Sequence, residues 1–81
     1  MPHYKALFVG EQKVKSTNWK SRDDAAKQIV KRGLSVVSVY ECTKGKHYFD
    51  VSDKVAGKIK ADYEPSSIAD NVALFLLRAA T

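Results

Sequence analysis

The sequence predicts a small α+β domain: a small antiparallel sheet of about four strands with helices packed on it, in the order ββαββαα. Its 81 residues provide for one modest hydrophobic core. Residues 4–9 and 34–42 are apolar on both sides of an extended chain, which is typical of central strands. Residues 22–32 follow a helical repeat behind a capping sequence. We therefore expect residues 1–81 to form a single compact domain.

The first hairpin is predicted to pair a central strand with a polar edge strand. In YKALFV, residues 4–9, apolar side chains fall on both faces of the strand. After a turn at 10–12, residues 13–19 (KVKSTNW) place Lys13 and Lys15 on the same side. Lysine-bearing polar strands are typical of sheet edges, where charge discourages pairing with another chain.

The first helix is predicted over residues 22–32. Ser21 provides the N-cap, Asp24 at the third helical position completes a capping box, and Gly33 supplies the left-handed residue after the last turn. Lys27 and Lys31 project together from the side opposite the apolar stripe, because residues four apart share a helix face. That stripe consists of Ala25, Ala26, Ile29 and Val30.

A second hairpin and a second helix follow. A turn at 43–46 leads from the strand at 34–42 to a returning strand at 47–51. Ser52 is expected to cap a helix that runs to Tyr63, and Gly57 weakens the middle of that helix. Alternation over the strand at 34–42 places Leu34, Val36, Tyr40 and Cys42 on one face and Val37 and Val39 on the other.

A terminal helix is predicted after the break at Glu64-Pro65. The residue before a proline is pushed out of the α region, and Ser67 with Asp70 then repeats the capping pattern. One continuous apolar face of this helix closes the core. Leu74 and Leu77 extend beyond that face, so we expect them either to contact the second helix or to form a small self-association or partner surface. The core-facing residues are Ile68, Val72, Phe75, Leu76 and Ala79.

The net charge of +5 belongs to the body of the chain. Residues 1–60 hold 13 of the 14 lysines and arginines against 6 acids, whereas residues 61–81 hold Arg78 against three acids. No apolar run approaches the roughly 20 residues that cross a bilayer, and the N-terminus lacks the pattern of a secretory signal. The single cysteine, Cys42, forms no internal disulfide and so favours a reducing compartment. We expect a cytoplasmic protein, bacterial or host, with no membrane partner.

No set of residues predicts a catalytic site, a metal site or a cofactor. His3 and His47 are the only histidines, and with one cysteine they provide no credible zinc ligands. Asp50 and Asp53 lie at a strand end and a helix start, where carboxylates commonly cap. The four glycines are dispersed singly, so no phosphate-binding loop is present. With Cys42 expected to be a buried structural thiol, we predict that the protein is not an enzyme.

The lysine-rich segments predict a binding surface. Positive charge with neighbouring aromatic rings attracts a phosphate backbone or a single strand, and Trp19 and Tyr48 are placed where their rings could stack. Two alternatives remain open, a lysine face that only keeps the protein in solution and a core position for Trp19. The candidate contacts to nucleic acid or to an acidic partner are Lys13, Lys15, Lys20, Arg22, Lys27, Lys31, Arg32, Lys44 and Lys46.

Two functional hypotheses follow. The hairpin, helix and strand of residues 4–41 resemble, in the order of their elements, the small modules of a three-stranded sheet and a helix with which some phage integrases grip DNA; this resemblance assigns no residue. The first hypothesis is a small basic protein that binds nucleic acid, or a complex that handles nucleic acid, through its lysine-rich face. The alternative is a stoichiometric inhibitor or adaptor of phage or mobile-element type that binds a host protein.

Overall fold

The computed structural model describes residues 2–43, 45 and 47–79, and these form a four-stranded antiparallel sheet with three α-helices. The order ββαββαα and the α+β class are as predicted. A short 3₁₀ helix at Pro65–Ser67 precedes the last α-helix. The strands are β1 (His3–Phe8), β2 (Lys15–Ser16), β3 (Val36–Cys42) and β4 (Phe49–Asp50), and the helices are α1 (Arg22–Arg32), α2 (Ser52–Asp62) and α3 (Asp70–Ala79).

The two long strands lie in the centre of the sheet, in the order β2-β1-β3-β4. Both edge strands are only two residues long, so the predictions of strands at 13–19 and 47–51 were too long. The chain leaves β2 after Ser16, and Trp19 then packs in the core. Such short edges offer few free backbone groups to another chain.

A β-bulge in β3 decides which side chains face the helices. The register between β1 and β3 shifts between Leu7 and Phe8, which makes Val37 the extra residue. The shift brings Val36 and Val39 to the same face, where both are buried. The prediction that these two valines lie on opposite faces was wrong, because one inserted residue inverts the alternation beyond it.

The three helices and one face of the sheet share a single core. Helix α1 packs against α2, α2 packs against α3, and both α2 and α3 contact β3. Phe75, Ile29 and Ile59 are the largest fully buried side chains, and burying each contributes about 1.5–3 kcal/mol. None of the helices in the described part of the chain has the length and apolar content needed to cross a bilayer.

Helix α1 begins and ends where the sequence predicts. The Ser21 hydroxyl accepts a hydrogen bond from the Asp24 N–H at 3.0 Å, and Gly33 adopts the left-handed conformation with φ of 59°. The Asp24 carboxylate accepts from the Lys20 N–H at 3.0 Å, one residue earlier than in the expected capping box. The cap thus fixes the path of the chain from β2 into the helix.

The other two helix starts differ from the prediction. Ser52 is the first residue of α2, and its N–H donates to Asp50 Oδ1 at 2.8 Å while its hydroxyl accepts from the Val39 N–H at 2.9 Å. Ser67 lies in the 3₁₀ helix, where its hydroxyl donates to the Glu64 carbonyl oxygen at 2.8 Å. Both serines therefore bond to neighbouring backbone instead of capping the helix assigned to them.

Candidate functional site

The exposed basic residues of the first half of the chain lie on β2, on α1 and on the flanking segments. Helical spacing directs Lys27 and Lys31 away from Ala25 and Ile29, which are buried against the core. We call the following exposed side chains the basic surface. They are Lys13, Lys15, Lys20, Lys27, Lys31 and Arg32.

A groove between β2 and the end of α1 brings two of these cations together. Lys15 and Arg32 both line it, and its volume is about 500 Å³. Phe8, Trp19 and Leu34 contribute apolar atoms to the same groove. A strand and a helix therefore present positive charge on one concave surface.

Most of the charge on the basic surface is not offset by acids. Lys15 Nζ lies 2.9 Å from Glu11 Oε1, in an ion pair whose lysine side chain is 63% exposed and whose glutamate side chain is 32% exposed. Within residues 2–43, 45 and 47–79, no carboxylate forms an ion pair with the other five side chains. Because the Lys15 side chain is mostly exposed, its ammonium group is accessible from solvent despite this pair.

Arg22 belongs instead to a polar network that joins α1 to the sheet. Its Nε donates to Glu41 Oε2 at 3.0 Å, and the Tyr4 hydroxyl donates to the same oxygen at 2.5 Å. The hydrogen bonds from Tyr4 and then from Arg22 lower the pKa of Glu41, and the bond to Glu41 raises the pKa of Arg22. Burial, followed by the bond to Glu41, raises the pKa of Tyr4 to about 12. The guanidinium of Arg22 thus joins α1 to β3, and because Glu41 already occupies it we do not count Arg22 in the basic surface.

The two residues predicted to stack differ in exposure. Trp19 is 5% exposed and packs in the core, so its ring faces are not available to a base. Tyr48 is 39% exposed, and Lys5 Nζ lies 4.7 Å from the centre of its ring. The predicted contacts at Lys44 and Lys46 lie outside the described residues.

Two of the groups considered for chemistry, Asp50 and Cys42, have structural partners. Asp50 receives the Ser52 N–H described above, and the buried Cys42 thiol donates to the Gly45 carbonyl oxygen at 3.1 Å. In the part of the chain that the structure describes, no three His, Cys, Asp or Glu side chains are grouped as metal ligands.

The outer side of α3 is apolar and exposed. Leu74 and Leu77 are 53% and 67% exposed, so α2 does not bury them, as the expected alternative required. Ala73, one turn before Leu77, lines an apolar hollow of about 210 Å³ together with Tyr63 and Ile68. A partner surface here stays a prediction.

Sequence reasoning missed a second hollow, on the face of the sheet opposite the helices. Lys5, Val14, Tyr40 and Tyr48 line it, and its volume is about 320 Å³. The signal that could have found it is Lys5, a charged residue in the middle of an otherwise apolar central strand. In the same way, Glu41 is a charged residue in the otherwise uncharged strand β3, and it could have indicated the polar network with Tyr4 and Arg22.

No protein-family model matches the sequence, and no curated protein and no solved structure matches it either.

Proposed function

We propose that the protein is a non-enzymatic binding protein that contacts the phosphate backbone of nucleic acid through the basic surface. The observation that carries this proposal is the concentration of exposed cations on and around β2 and α1, of which only Lys15 forms an ion pair among the described residues, with Lys15 and Arg32 lining one groove. Lysine and arginine contacts to phosphates release counterions and supply most of the affinity in sequence-independent binding.

The composition of the basic surface favours backbone contact over sequence reading. Five of its six cations are lysines, which act as point charges, whereas reading of base edges relies on bidentate arginine. We therefore expect similar affinities for different sequences and a strong dependence on salt. If all six side chains contact phosphates of duplex DNA, the logarithm of the binding constant falls against the logarithm of salt with a slope of about −5.

Two further features support this proposal. One favours a non-enzymatic protein, and the other favours a cytoplasmic location. Among the described residues, the groups with perturbed pKa values are Tyr4, Arg22 and Glu41, and both Tyr4 and Arg22 bond to Glu41, which is the pattern of a structural ion pair and not of a poised acid and base. Cys42 is a buried free thiol, as expected in a reducing compartment.

The test compares two charge reversals of equal size on different helices. Lys27→Glu with Lys31→Glu alters the basic surface, and Lys54→Glu with Lys60→Glu alters two exposed lysines of α2. Fluorescence anisotropy with a labelled DNA duplex would measure binding over a series of salt concentrations. We expect the α1 variant to reduce the magnitude of the salt slope by about 2, at about 0.9 for each lost contact, and the α2 variant to change it less. Equal effects, or no salt-dependent binding by the wild type, would contradict the proposal.

A second candidate function rests on the exposed leucines of α3. Leu74 and Leu77 suit either a homodimer or a host protein bound stoichiometrically by an inhibitor or adaptor of phage type. Sedimentation of the wild type and of Leu74→Ser with Leu77→Ser tests the homodimer, which predicts a monomer only for the variant. Retention of one defined protein from a lysate at near-equal stoichiometry supports the host-protein version, and recovery of nucleic acid alone contradicts it.

A further inference from the structure

The sheet has a second face that presents a cation among aromatic rings. Ala6 and Val39 point to the helices, so their strand neighbours Lys5 and Tyr40 point to the opposite face. Lys5 and Tyr40 are direct cross-strand partners, and Val14 from the segment before β2 and Tyr48 from the segment before β4 complete the hollow. The hollow thus spans the width of the sheet from one edge to the other.

A hydrogen bond and a cation–π interaction fix side chains of this hollow in place. Tyr40 lies in a central strand, and its hydroxyl accepts a hydrogen bond from the Ser38 hydroxyl at 3.0 Å. Lys5 Nζ lies 4.7 Å from the centre of the Tyr48 ring, within the range of a cation–π interaction. Val14 and Tyr48 expose 43% and 39% of their surface, so the hollow is open to a ligand. Its volume of about 320 Å³ is at the small end of ligand sites, which suits one flat group.

We propose that this hollow binds an unpaired nucleobase of a single-stranded nucleic acid, with Lys5 contacting a neighbouring phosphate. The proposal rests on the proposed function and specifies its ligand. Tyrosine faces stack on bases of any sequence, and an adjacent lysine supplies the charge that a phosphate requires. A duplex keeps its base faces stacked on each other, so only a single strand or a flipped base offers them.

The hollow and the basic surface adjoin through β2. Val14 lies in the hollow, and its chain neighbours are Lys13 and Lys15, of which Lys15 also lines the groove beside Arg32. If a base of a single-stranded nucleic acid occupies the hollow, the phosphate backbone of that nucleic acid reaches the basic surface where it crosses β2 at the edge of the sheet. The bases of one nucleic-acid strand would thus bind on one side of β2, and its phosphates would bind on the other side.

The experiment replaces two exposed aromatic rings that are adjacent in the chain but lie on opposite sides of the sheet. Tyr48→Ala removes the ring from the hollow, and Phe49→Ala removes a ring that is 62% exposed but lies on the other side, since Phe49 pairs with Glu41. Both variants would be titrated with a short labelled single strand, as DNA and as RNA of the same sequence, and with the matching DNA duplex. Thermal unfolding followed by circular dichroism confirms that each variant is folded.

We expect Tyr48→Ala to weaken single-strand binding about five- to 150-fold, the range found for one stacked base. Phe49→Ala should leave it unchanged, and Tyr48→Phe, which keeps the ring, should retain wild-type affinity. Tyr48→Ala should leave the salt slope and duplex binding unaltered, because the ring carries no charge. Photocrosslinking of a halogenated pyrimidine strand should modify Tyr40 or Tyr48, and the DNA and RNA series show which strand binds more tightly.

The results separate this inference from the proposed function. If charge reversal on α1 reduces the salt slope but Tyr48→Ala binds single strands as the wild type does, the stacking site is refuted and the basic surface stands. Equal wild-type affinity for single strand and duplex, or equal losses from Tyr48→Ala and Phe49→Ala, also overturns the stacking site. If the wild type binds no nucleic acid, both proposals fall.

Discussion

Replacing Tyr4 with phenylalanine is expected to lower the free energy of unfolding by about 2 kcal/mol. The Tyr4 ring is 3% exposed and phenylalanine fills the same space, so the change removes only the hydroxyl. That hydroxyl donates to Glu41 Oε2, and a hydrogen bond to a charged group contributes about 1.5–3 kcal/mol. Arg22 Nε still donates to the same oxygen, so the carboxylate keeps a partner and the larger cost of an unpaired buried charge is avoided.

Urea unfolding measures this loss with a probe already in the chain. Trp19 is the single tryptophan and is buried, so its fluorescence reports loss of the core. About 2 kcal/mol corresponds to a fall of roughly 8–16 °C in the melting temperature of a domain of this size. Tyr63→Phe is the matched control, because among the described residues the Tyr63 hydroxyl has no hydrogen-bond partner, and we expect it to change stability by less than about 0.5 kcal/mol.

The Tyr4 hydroxyl should also make the free energy of unfolding depend on pH, because burial and then the bond to Glu41 raise its pKa. The pKa of Tyr4 is raised from 10.0 to about 12, so the folded protein holds the phenol proton more tightly than the unfolded chain does. The stabilisation is therefore fully present below pH 10 and is lost as the pH rises through about 12. Burial is the largest cause of this shift and the bond to Glu41 is the next, so the loss of stability reports the buried position of the phenol as well as its hydrogen bond. The stability difference between the wild type and Tyr4→Phe should narrow over that interval, since all other titrations are common to both.

Two results would refute this reasoning. One is a Tyr4→Phe variant as stable as Tyr63→Phe at neutral pH, which would mean that the Tyr4 hydroxyl contributes nothing. The other is a stability difference that stays constant up to the pKa of Tyr4 near 12, which would mean that the phenol proton is not coupled to folding.

Three further substitutions test the helix ends and the core by urea unfolding. Ser21→Ala removes the acceptor of the Asp24 N–H and should cost about 1 kcal/mol; an unchanged midpoint would show that the cap is replaced by water. Gly33→Ala should cost about 1–2 kcal/mol through its φ of 59° alone, because an added Cβ would meet no atom within 4 Å, and a stabilised variant would contradict this. Phe75→Ala removes the largest fully buried side chain and should cost about 3–5 kcal/mol, while Leu77→Ala on the exposed side of α3 should cost far less.

The sequence predicted the part of the candidate site that depends on the geometry of α1 alone. Lys27 and Lys31 face solvent because helical spacing and a buried stripe on the same element require it. Arg22 lies on that helix too, but its guanidinium meets Glu41, a residue 19 positions away in β3. For Trp19 the sequence left two positions open, stacking or a place in the core, and the structure shows it buried in the core. Contacts between elements distant in the chain decided both outcomes.

By itself, the amino-acid sequence determined the class, the order of the elements, the bounds of α1 and the side of each helix that is buried. These follow from local rules: capping groups, side-chain periodicity and the conformational limits of glycine and proline. Only the tertiary structure decided the bulge at Val37, the network of Tyr4 with Glu41, and the hollow around Lys5 and Tyr40. Each of these depends on the register between β1 and β3, and a shift of one residue there changes which side chains share a face.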